Sequence, residues 1–192
     1  MVSLMGFEIL NSEFDGACQK IRGEGHFDLR GSFSELFVRD ELETIVGSLL
    51  PFEQINKNTS KEGVIRGIHF SIKPHIQKKL IRCDSGEIFD VVVDLRFESP
   101  TFKQYRTFNL SADKNELIYI ESGMGHAFMA LKDNSSVIYA TTAKYNKYLE
   151  YSINPFDSEI GIEWPKGKHL LSSRDQEAPS LADYFKMVND NA

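Results

Sequence analysis

The chain has 192 residues, 41% of them hydrophobic and 26% charged, with a formal net charge of −6 at pH 7. This length and composition are typical of one soluble globular domain with a sizeable core. The acidic balance argues against a nucleic-acid-binding surface, which normally shows a basic stripe. No stretch approaches the roughly 18 consecutive apolar residues that a membrane-spanning helix needs.

The cysteines and the N-terminus indicate the cellular compartment. Cys18 and Cys83 provide no disulfide framework, and their apolar settings predict buried free thiols in a reducing cytoplasm. The N-terminal residues MVSLMGFEIL lack a basic region and a long apolar run, so no signal peptide is expected. We therefore expect a cytoplasmic protein with a single domain over residues 1–192 and a C-terminal helical tail from about residue 178.

The first third of the chain predicts short strands and one helix. Residues 6–22 predict one or two strands that are broken at 11–16, and a polar turn at 27–35 leads into a predicted aromatic strand at 36–38. Residues 39–50 carry apolar side chains at helical spacing and end before Pro51, which predicts a short amphipathic helix. Residues 52–58 then alternate between apolar and polar, as in a half-buried strand.

The middle of the chain reads as a series of strands. They are separated by turns rich in Gly, Asn, Asp and Ser, and they cover residues 64–70, a basic strand through Lys79, 87–95, 105–110, 117–120, 126–131 and 137–142. Strands at this spacing favour an all-β barrel or sandwich. From Tyr145 the pattern is irregular until a predicted C-terminal helix at 178–188.

Charged side chains within these apolar strands predict a pocket. His69, Lys79 and Asp90 occur on three successive predicted strands. Charged groups are costly to bury unless they are paired, so these residues are expected to line a cavity and not to fill a core. His126 and Tyr139, on later strands, are expected to join them.

This set does not match a metal site of the cupin barrels, which bind metal through a His-x-His pair, a downstream Glu and a later His. Gly123-Met124-Gly125-His126 resembles the second cupin motif, but Ser71 stands two residues after His69 and the chain has no His-x-His pair. No metal is therefore expected. A His, Lys and Tyr together suggest proton transfer beside a carbonyl: a histidine base, an ammonium that holds the enolate oxygen, and a tyrosine that returns a proton.

Several sequence motifs occur along the chain in an order and spacing that are specific to one protein family. They are Asp28-Leu29-Arg30-Gly31 with Glu35, Gln54-x-Asn56, Arg66-Gly67-Ile68-His69, Lys79-Leu80-Ile81-Arg82, Gly125-His126-Ala127-Phe128, Tyr139, Tyr145 and Ile160-Gly161-Ile162-Glu163-Trp164-Pro165. From about Phe27 to Pro165, and more weakly to Ser180, the chain resembles the dTDP-4-dehydrorhamnose 3,5-epimerases and their deoxysugar-pathway relatives, including those of dTDP-rhamnose synthesis.

The resemblance implies a cupin (jelly-roll, double-stranded β-helix) barrel that needs no metal or cofactor, forms a homodimer and acts on a dTDP-4-keto-6-deoxyhexose. It implies His69 as base, Asp157 as its dyad partner, Lys79 as the enolate-stabilising group and Tyr139 as acid. The resemblance further implies substrate contacts that comprise Arg30 and Arg66 at the pyrophosphate, Glu35, Gln54 and Asn56 in the groove, Asp90 and His126 around the catalytic groups, and Tyr145 at sugar or base.

Departures from the family pattern bear on specificity. Ser71 replaces a common Gln, and Asn154-Pro155-Phe156-Asp157 replaces a usual Trp-Asn-Asp-Pro. Inversion of carbon 3, of carbon 5 or of both stays open, although the Gly-Met-Gly-His-Ala-Phe motif is closer to relatives that invert one carbon. A non-catalytic sugar-nucleotide-binding cupin is the alternative, and a metal-dependent cupin oxygenase or isomerase is a third reading.

Overall fold

The structure is a computed structural model that describes residues 6–189, with side chains to residue 188. The predicted absence of a signal peptide concerns residues that lie partly outside this range, as do both ends of the predicted single domain. The described strands are β1 (Phe7–Glu13), β2 (Cys18–Gly23), β3 (Gly25–Asp28), β4 (Gly31–Ser34), β5 (Gln54–Ser60), β6 (Ile65–Ser71), β7 (Lys79–Ser85), β8 (Glu87–Asp94), β9 (Tyr105–Ser111), β10 (Glu116–Ile120), β11 (Met124–Ala130), β12 (Ser135–Thr141) and β13 (Glu150–Ser152). The helices are α1 (Arg39–Val46), α2 (Ser173–Gln176) and α3 (Leu181–Asn189), and a 3-10 turn spans Ala112–Lys114.

Two antiparallel sheets form the body of the described chain. One has six strands in the order β1-β2-β10-β7-β12-β5, and the other has five in the order β13-β6-β11-β8-β9. From β5 to β8 the chain passes to the other sheet with each strand, and it does so again from β9 to β12. This winding makes a double-stranded β-helix, so the predicted all-β class is confirmed.

Apolar side chains between the sheets form the main core, which includes Ile81, Ile88, Val92 and Ile118, all with no exposed surface. Alternation along each strand sends the remaining side chains outward. On the five-stranded sheet the outer face is covered by the C-terminal segment, including Leu181 of α3. On the six-stranded sheet it is covered in part by α1.

Two local predictions near the N-terminus need correction. Residues 36–38 form no strand; the strand of this region is β4, paired with β3 in a separate two-stranded hairpin. The predicted helix at 39–50 ends at Val46, because Gly47 adopts φ +65° and donates its N–H to the carbonyl of Glu43. Residues 36–38 instead lead into α1, where Phe37 packs edge-on against Phe52 at a centroid separation of 5.1 Å.

The irregular C-terminal region holds two short elements that the periodicity did not predict. Strand β13 pairs with β6, and α2 follows in the segment after β13. The predicted C-terminal helix is present as α3. No helix in the described part of the chain is long and apolar enough to cross a membrane.

Candidate active site

A cavity of about 430 Å³ opens between the two sheets. Eight of the residues singled out from the sequence line it, and they are Gln54, Asn56, Arg66, His69, Lys79, His126, Tyr139 and Tyr145. The strands explain this convergence, because inward-facing positions of β5, β6, β7, β11 and β12 meet at one end of the barrel. The structure thus brings His69, Lys79, His126 and Tyr139 to one cavity, whereas Asp90, which was expected to line it as well, does not.

His69 is a partly buried titratable group of this cavity with a direct acidic partner. Its Nε2 lies 2.6 Å from Oδ1 of Asp175, whose side chain is 4% exposed. An ionised carboxylate can only accept, so Nε2 carries the proton and Nδ1 is the nitrogen that can act as a base. Burial lowers the pKa of His69 below its usual value, and the hydrogen bond that His69 donates to Asp175 offsets part of that effect. His69 is therefore neutral at pH 7.

Asp175 is held by α2. Ser172 caps this helix, accepting the N–H of Asp175 at 3.2 Å and donating its hydroxyl to Oδ2 at 2.9 Å. The bond to His69 and the bond from Ser172 lower the pKa of Asp175 despite its burial. The carboxylate is thus ionised, and each of its oxygens has a fixed partner.

The prediction that Asp157 is the dyad partner of His69 is wrong. Oδ1 of Asp157 accepts the backbone N–H groups of Glu159 and Ile160 at 2.9 and 3.0 Å, and Oδ2 accepts that of Leu181 at 2.8 Å. Both oxygens are therefore used to join the turn after residue 157 to the N-terminus of α3. The carboxylate beside His69 belongs to Asp175, which sequence reasoning missed.

Lys79 is buried, and its Nζ donates to the backbone carbonyl of His69 at 3.3 Å. Burial lowers the pKa of Lys79 to about 8, while the carboxylates of Glu150 and Asp90 oppose that effect. The amine is consequently an ammonium at pH 7, close to the backbone of the histidine. This is the charge that a developing enolate oxygen requires.

Tyr139 approaches the cavity from the sheet opposite His69. It lies on β12, where the register places it against Ile81 and places Thr141 against Lys79, so Tyr139 and Lys79 are diagonal neighbours on one face. Burial and the charge of Glu150 raise the pKa of Tyr139. The phenol is therefore protonated in the resting protein.

His126 stands directly opposite His69 in the pairing of β11 with β6. Its Nε2 lies 2.7 Å from Oδ2 of Asp90, which is fully buried. The other oxygen of Asp90 has no hydrogen-bond partner among the described residues. Asp90 thus lies behind the cavity and does not line it, and it fixes the ring of His126.

A bulge in β6 explains how Arg66 and His69, three residues apart, both reach the cavity. The register shifts between these two positions, where Gly67 adopts φ +122°. A Cβ at Gly67 would lie 2.5 Å from the carbonyl oxygen of His126 and 2.5 Å from Cβ of Ala127. Glycine is therefore required, and the extra residue turns Arg66 to the same side as the histidine. Arg66 Nε donates to the hydroxyl of Ser60 at 3.1 Å.

Two predicted substrate contacts lie away from the cavity. Arg30 is exposed in the turn of the β3–β4 hairpin and is paired with Asp28, and Glu35 follows the same hairpin. The hairpin also exposes the apolar side chains of Phe27, Leu29 and Phe33. In this chain alone, Arg30 and Glu35 cannot be part of the pocket wall.

The cavity also contains polar groups that the sequence did not single out. They are Asn58, Gln77, Glu150, Ser172, Arg174 and Asp175. Arg174 lies at the mouth, donates to Ser152 at 3.1 Å and adds a second guanidinium to that of Arg66. In the described part of the chain, no group of three or more His, Cys, Asp or Glu is placed to hold a metal ion.

Comparison with known proteins gives a consistent result. Residues 14–183 match the family model described as dTDP-4-dehydrorhamnose 3,5-epimerase. The enzyme of that name from Streptomyces griseus is 40% identical over 157 residues, which cover 81% of this chain and 78% of that protein. Relatives named as 3-epimerases, from Streptomyces, are 37% to 38% identical.

Solved structures agree with the sequence comparisons. A 4-keto-6-deoxy sugar epimerase from the novobiocin biosynthetic gene cluster of Streptomyces spheroides has a TM-score of 0.90 and 35% identity, covering 95% of this chain and 91% of that one. The 3,5-epimerase of Legionella pneumophila, in complex with dTDP-4-keto-L-rhamnose, has a TM-score of 0.87 and 34% identity, covering 92% and 93%. The cupin barrel is confirmed, and the chain belongs to the dTDP-4-dehydrorhamnose 3,5-epimerase family of nucleotide-sugar isomerases.

Proposed function

We propose that His69 is the base and Tyr139 the acid of an epimerase that acts on a dTDP-4-keto-6-deoxyhexose in deoxysugar biosynthesis. One observation carries the proposal: His69 on the five-stranded sheet, paired with Asp175 of α2, lies across a single cavity from Lys79 and Tyr139 on the six-stranded sheet. The non-catalytic binding alternative is not favoured, because the named relatives are epimerases.

The reaction begins at the carbon next to the 4-keto group. Nδ1 of His69 takes the proton, the C–H electron pair forms a carbon–carbon double bond, and the carbonyl π electrons move onto oxygen. The resulting enolate oxygen is stabilised by the ammonium of Lys79. Asp175 stabilises the imidazolium that forms, since its carboxylate remains ionised beside it.

Tyr139 completes the inversion. The enolate collapses back to the ketone and takes the phenolic proton on the face opposite His69, which leaves a phenolate. Loss of the imidazolium proton and return of a proton to Tyr139, both through solvent, restore the resting protein. Because the accepted and delivered protons differ, the inverted carbon acquires its hydrogen from solvent.

The nucleotide portion would be held by the guanidinium groups of Arg66 and Arg174 at the pyrophosphate, for which planar N–H forks are well suited. Gln54, Asn56 and Tyr145 line the same side of the cavity, and the backbone N–H of Tyr145 donates to Oε1 of Gln54 at 2.9 Å. The L. pneumophila relative in complex with dTDP-4-keto-L-rhamnose supports this class of substrate.

The test is solvent exchange in deuterated water with dTDP-4-keto-6-deoxyglucose. Wild-type protein should exchange the proton next to the keto group, and His69→Ala and Lys79→Ala should lose that exchange. His75→Ala, outside the cavity, is the control with one histidine fewer. Near-normal exchange in His69→Ala would exclude the mechanism. NMR of the product assigns the inversion to carbon 3, to carbon 5 or to both.

We further propose a homodimer in which the β3–β4 hairpin of one copy reaches the cavity of the other. An isolated hairpin is marginally stable in water, yet this one exposes Phe27 and Phe33 by 78% and 65%. Strand β5 is a sheet edge that carries Gln54 and Asn56 on the cavity wall, and an exposed edge favours pairing with another chain. A hairpin from the second copy, placed against the edge strand β5, would bring Arg30 to the pocket. Glu35, which comes directly after the hairpin in sequence, would lie close to it.

Mixed dimers test this arrangement. Arg30→Ala and His69→Ala proteins are each expected to be impaired, and mixing them after dissociation should restore activity. In a mixed dimer, one cavity has its own His69 and receives Arg30 from the partner copy. No restoration, although light scattering shows mixed dimers, would mean that Arg30 does not act across the interface.

A single domain over residues 1–192 and a cytoplasmic location belong to the same proposal. The two sheets share one core, and α3 packs on the outer face through Leu181 and Tyr184, which supports one cooperative unit. Cys18 and Cys83 are both buried and unpaired, which suits a reducing compartment. Coincident unfolding by circular dichroism and fluorescence would support the single domain, and two separate transitions would contradict it.

A further inference from the structure

Glu150 lines the cavity from the edge of the five-stranded sheet, where it begins β13 and pairs with Ser71 of β6. The mechanism proposed above gives it no role. Its position is fixed, because the side-chain amide of Gln77 donates to its Oε1 at 3.2 Å and to the carbonyl of Ala143 at 3.3 Å. Gln77 is itself buried, so the carboxylate is held on a rigid support.

Lys79 has few groups that could compensate its buried charge. Its Nζ donates to a neutral acceptor, the carbonyl of His69. The neighbouring strands β10 and β12 place the uncharged Ile120 and Thr141 against it. Of the two carboxylates that act on it, Asp90 on β8 is already engaged with His126.

Glu150 is the other carboxylate, and it forms no direct ion pair with Lys or Arg in the described part of the chain. Its charge therefore acts across the cavity, where the dielectric constant is lower than in water and electrostatic interactions extend over a longer distance. The same charge acts on Tyr139, with Arg66 acting in the opposite direction. One carboxylate of the cavity wall thus acts on both proton-bearing groups of the sheet opposite His69.

We infer that Glu150 is a positioning residue that keeps Lys79 as an ammonium and Tyr139 as a phenol, and so sets the alkaline limit of the reaction. The inference rests on the proposed function. A negative charge favours the protonated form of both groups, and the mechanism needs both protonated: the ammonium for the enolate and the phenol for the return of the proton. Gln77 would contribute by fixing the carboxylate that carries this charge.

Glu150→Gln tests the charge with little change of shape, since the amide oxygen can still accept from Gln77. With the pKa of Lys79 at about 8, kcat/KM should fall on the alkaline side. Loss of one opposing charge moves a pKa by about one unit, so the alkaline limb should shift by about one pH unit to lower pH. Activity at pH 9 should then drop roughly tenfold relative to wild type and stay unchanged at pH 6.

Two variants serve as controls. Glu150→Asp keeps the charge and should restore the wild-type alkaline limb. Glu163→Gln makes the same change of net charge at an exposed position outside the cavity, and its profile should match wild type. Thermal unfolding of all three checks that they are folded. A reduced rate with an unshifted limb in Glu150→Gln would reveal a purely structural role and overturn the inference.

A titration without substrate separates this inference from the proposed function. With lysine labelled at Cε, the NMR signal that disappears in Lys79→Gln belongs to Lys79. Its midpoint, expected near the value of about 8 in the wild type, should move down by about one unit in Glu150→Gln. An unchanged midpoint overturns the inference even if the catalytic roles of His69 and Tyr139 hold. A shifted midpoint supports it even if they do not.

Discussion

Asp175→Asn is the sharpest test of the base. The substitution keeps the size of the side chain but removes the negative charge 2.6 Å from Nε2 of His69. That charge matters most when His69 has taken the substrate proton and become an imidazolium. A hydrogen bond to a charged group contributes about 1.5–3 kcal/mol. At 1.36 kcal/mol for each factor of ten, kcat should fall by about 10- to 150-fold.

The pH dependence distinguishes this loss from general damage. The carboxylate raises the pKa of His69, and burial lowers it. Without the carboxylate the pKa of His69 falls further, and because the base must be neutral, the acidic limb of kcat/KM should move to lower pH. KM should change little, because the Asp175 side chain is 4% exposed and both of its oxygens already have partners in His69 and Ser172.

The assay is deuterium incorporation from solvent across pH 5 to 9, with Asp157→Asn as the matched control. Asp157 accepts only backbone N–H groups, so its substitution should lower the thermal midpoint and leave kcat of the folded enzyme unchanged. The reasoning would be refuted if Asp175→Asn kept the wild-type kcat and acidic limb, or if Asp157→Asn showed the expected losses in its place.

Three further outcomes are expected. A plot of the wild-type kcat/KM against pH should be bell-shaped. It should rise as His69 is deprotonated, at a pH below the ordinary pKa of histidine, and fall as Lys79 is deprotonated near pH 8. The pKa of Asp94 is lowered to about 2, so its carboxylate should stabilise the fold by about 2–3 kcal/mol above pH 4, and this stabilisation should be lost as the pH falls through 2. In urea unfolding, Asp94→Asn should therefore match the stability of the wild type only in strong acid. Gly67→Ala should destabilise the folded protein by about 2 kcal/mol or more and lower its thermal midpoint, because the added Cβ would lie 2.5 Å from a backbone oxygen. Gly6→Ala, where the added Cβ would have no contact closer than 3.6 Å, should leave the midpoint unchanged.

Strand periodicity accounts for the part of the cavity that could be predicted. Alternation along a strand indicates which side chains face inward, and His69, Lys79 and Tyr139 all fall at inward positions. The family resemblance supplied their proposed roles. Arg66 would have been placed on the wrong face by strict alternation, because the bulge at Gly67 changes the count by one residue.

The partner of His69 could not be found in this way. Asp175 is 106 residues away in sequence and lies on a four-residue helix within an irregular segment. Its local pattern, Ser172-x-x-Asp175, is a helix-capping signature and indicates structure, not chemistry. Asp157, to which the resemblance gave this role, instead accepts the backbone N–H groups of the residues that follow it, a common role for Asp in turns.

The β3–β4 hairpin marks another limit of the sequence. Turn residues and apolar residues alternate there, but whether the hairpin packs on its own barrel or on a second copy depends on contacts that no local pattern encodes. The two large sheets form without this hairpin, and its aromatic side chains Phe27 and Phe33 are exposed. Arg30 and Glu35 were therefore assigned to a pocket that their own chain does not let them reach.

The winding of the barrel also bears on why the proposed reaction inverts a carbon. Consecutive strands β6 and β7 belong to opposite sheets, so His69 and Lys79, ten residues apart, approach a substrate from different walls. Tyr139 joins Lys79 because β12 pairs with β7. A proton removed at one wall can then be replaced from the other, so strand connectivity provides for the inversion that we propose. Glu150, on the sheet of His69, has to act across that same gap, and entry of a substrate that expels water would strengthen its field on Lys79.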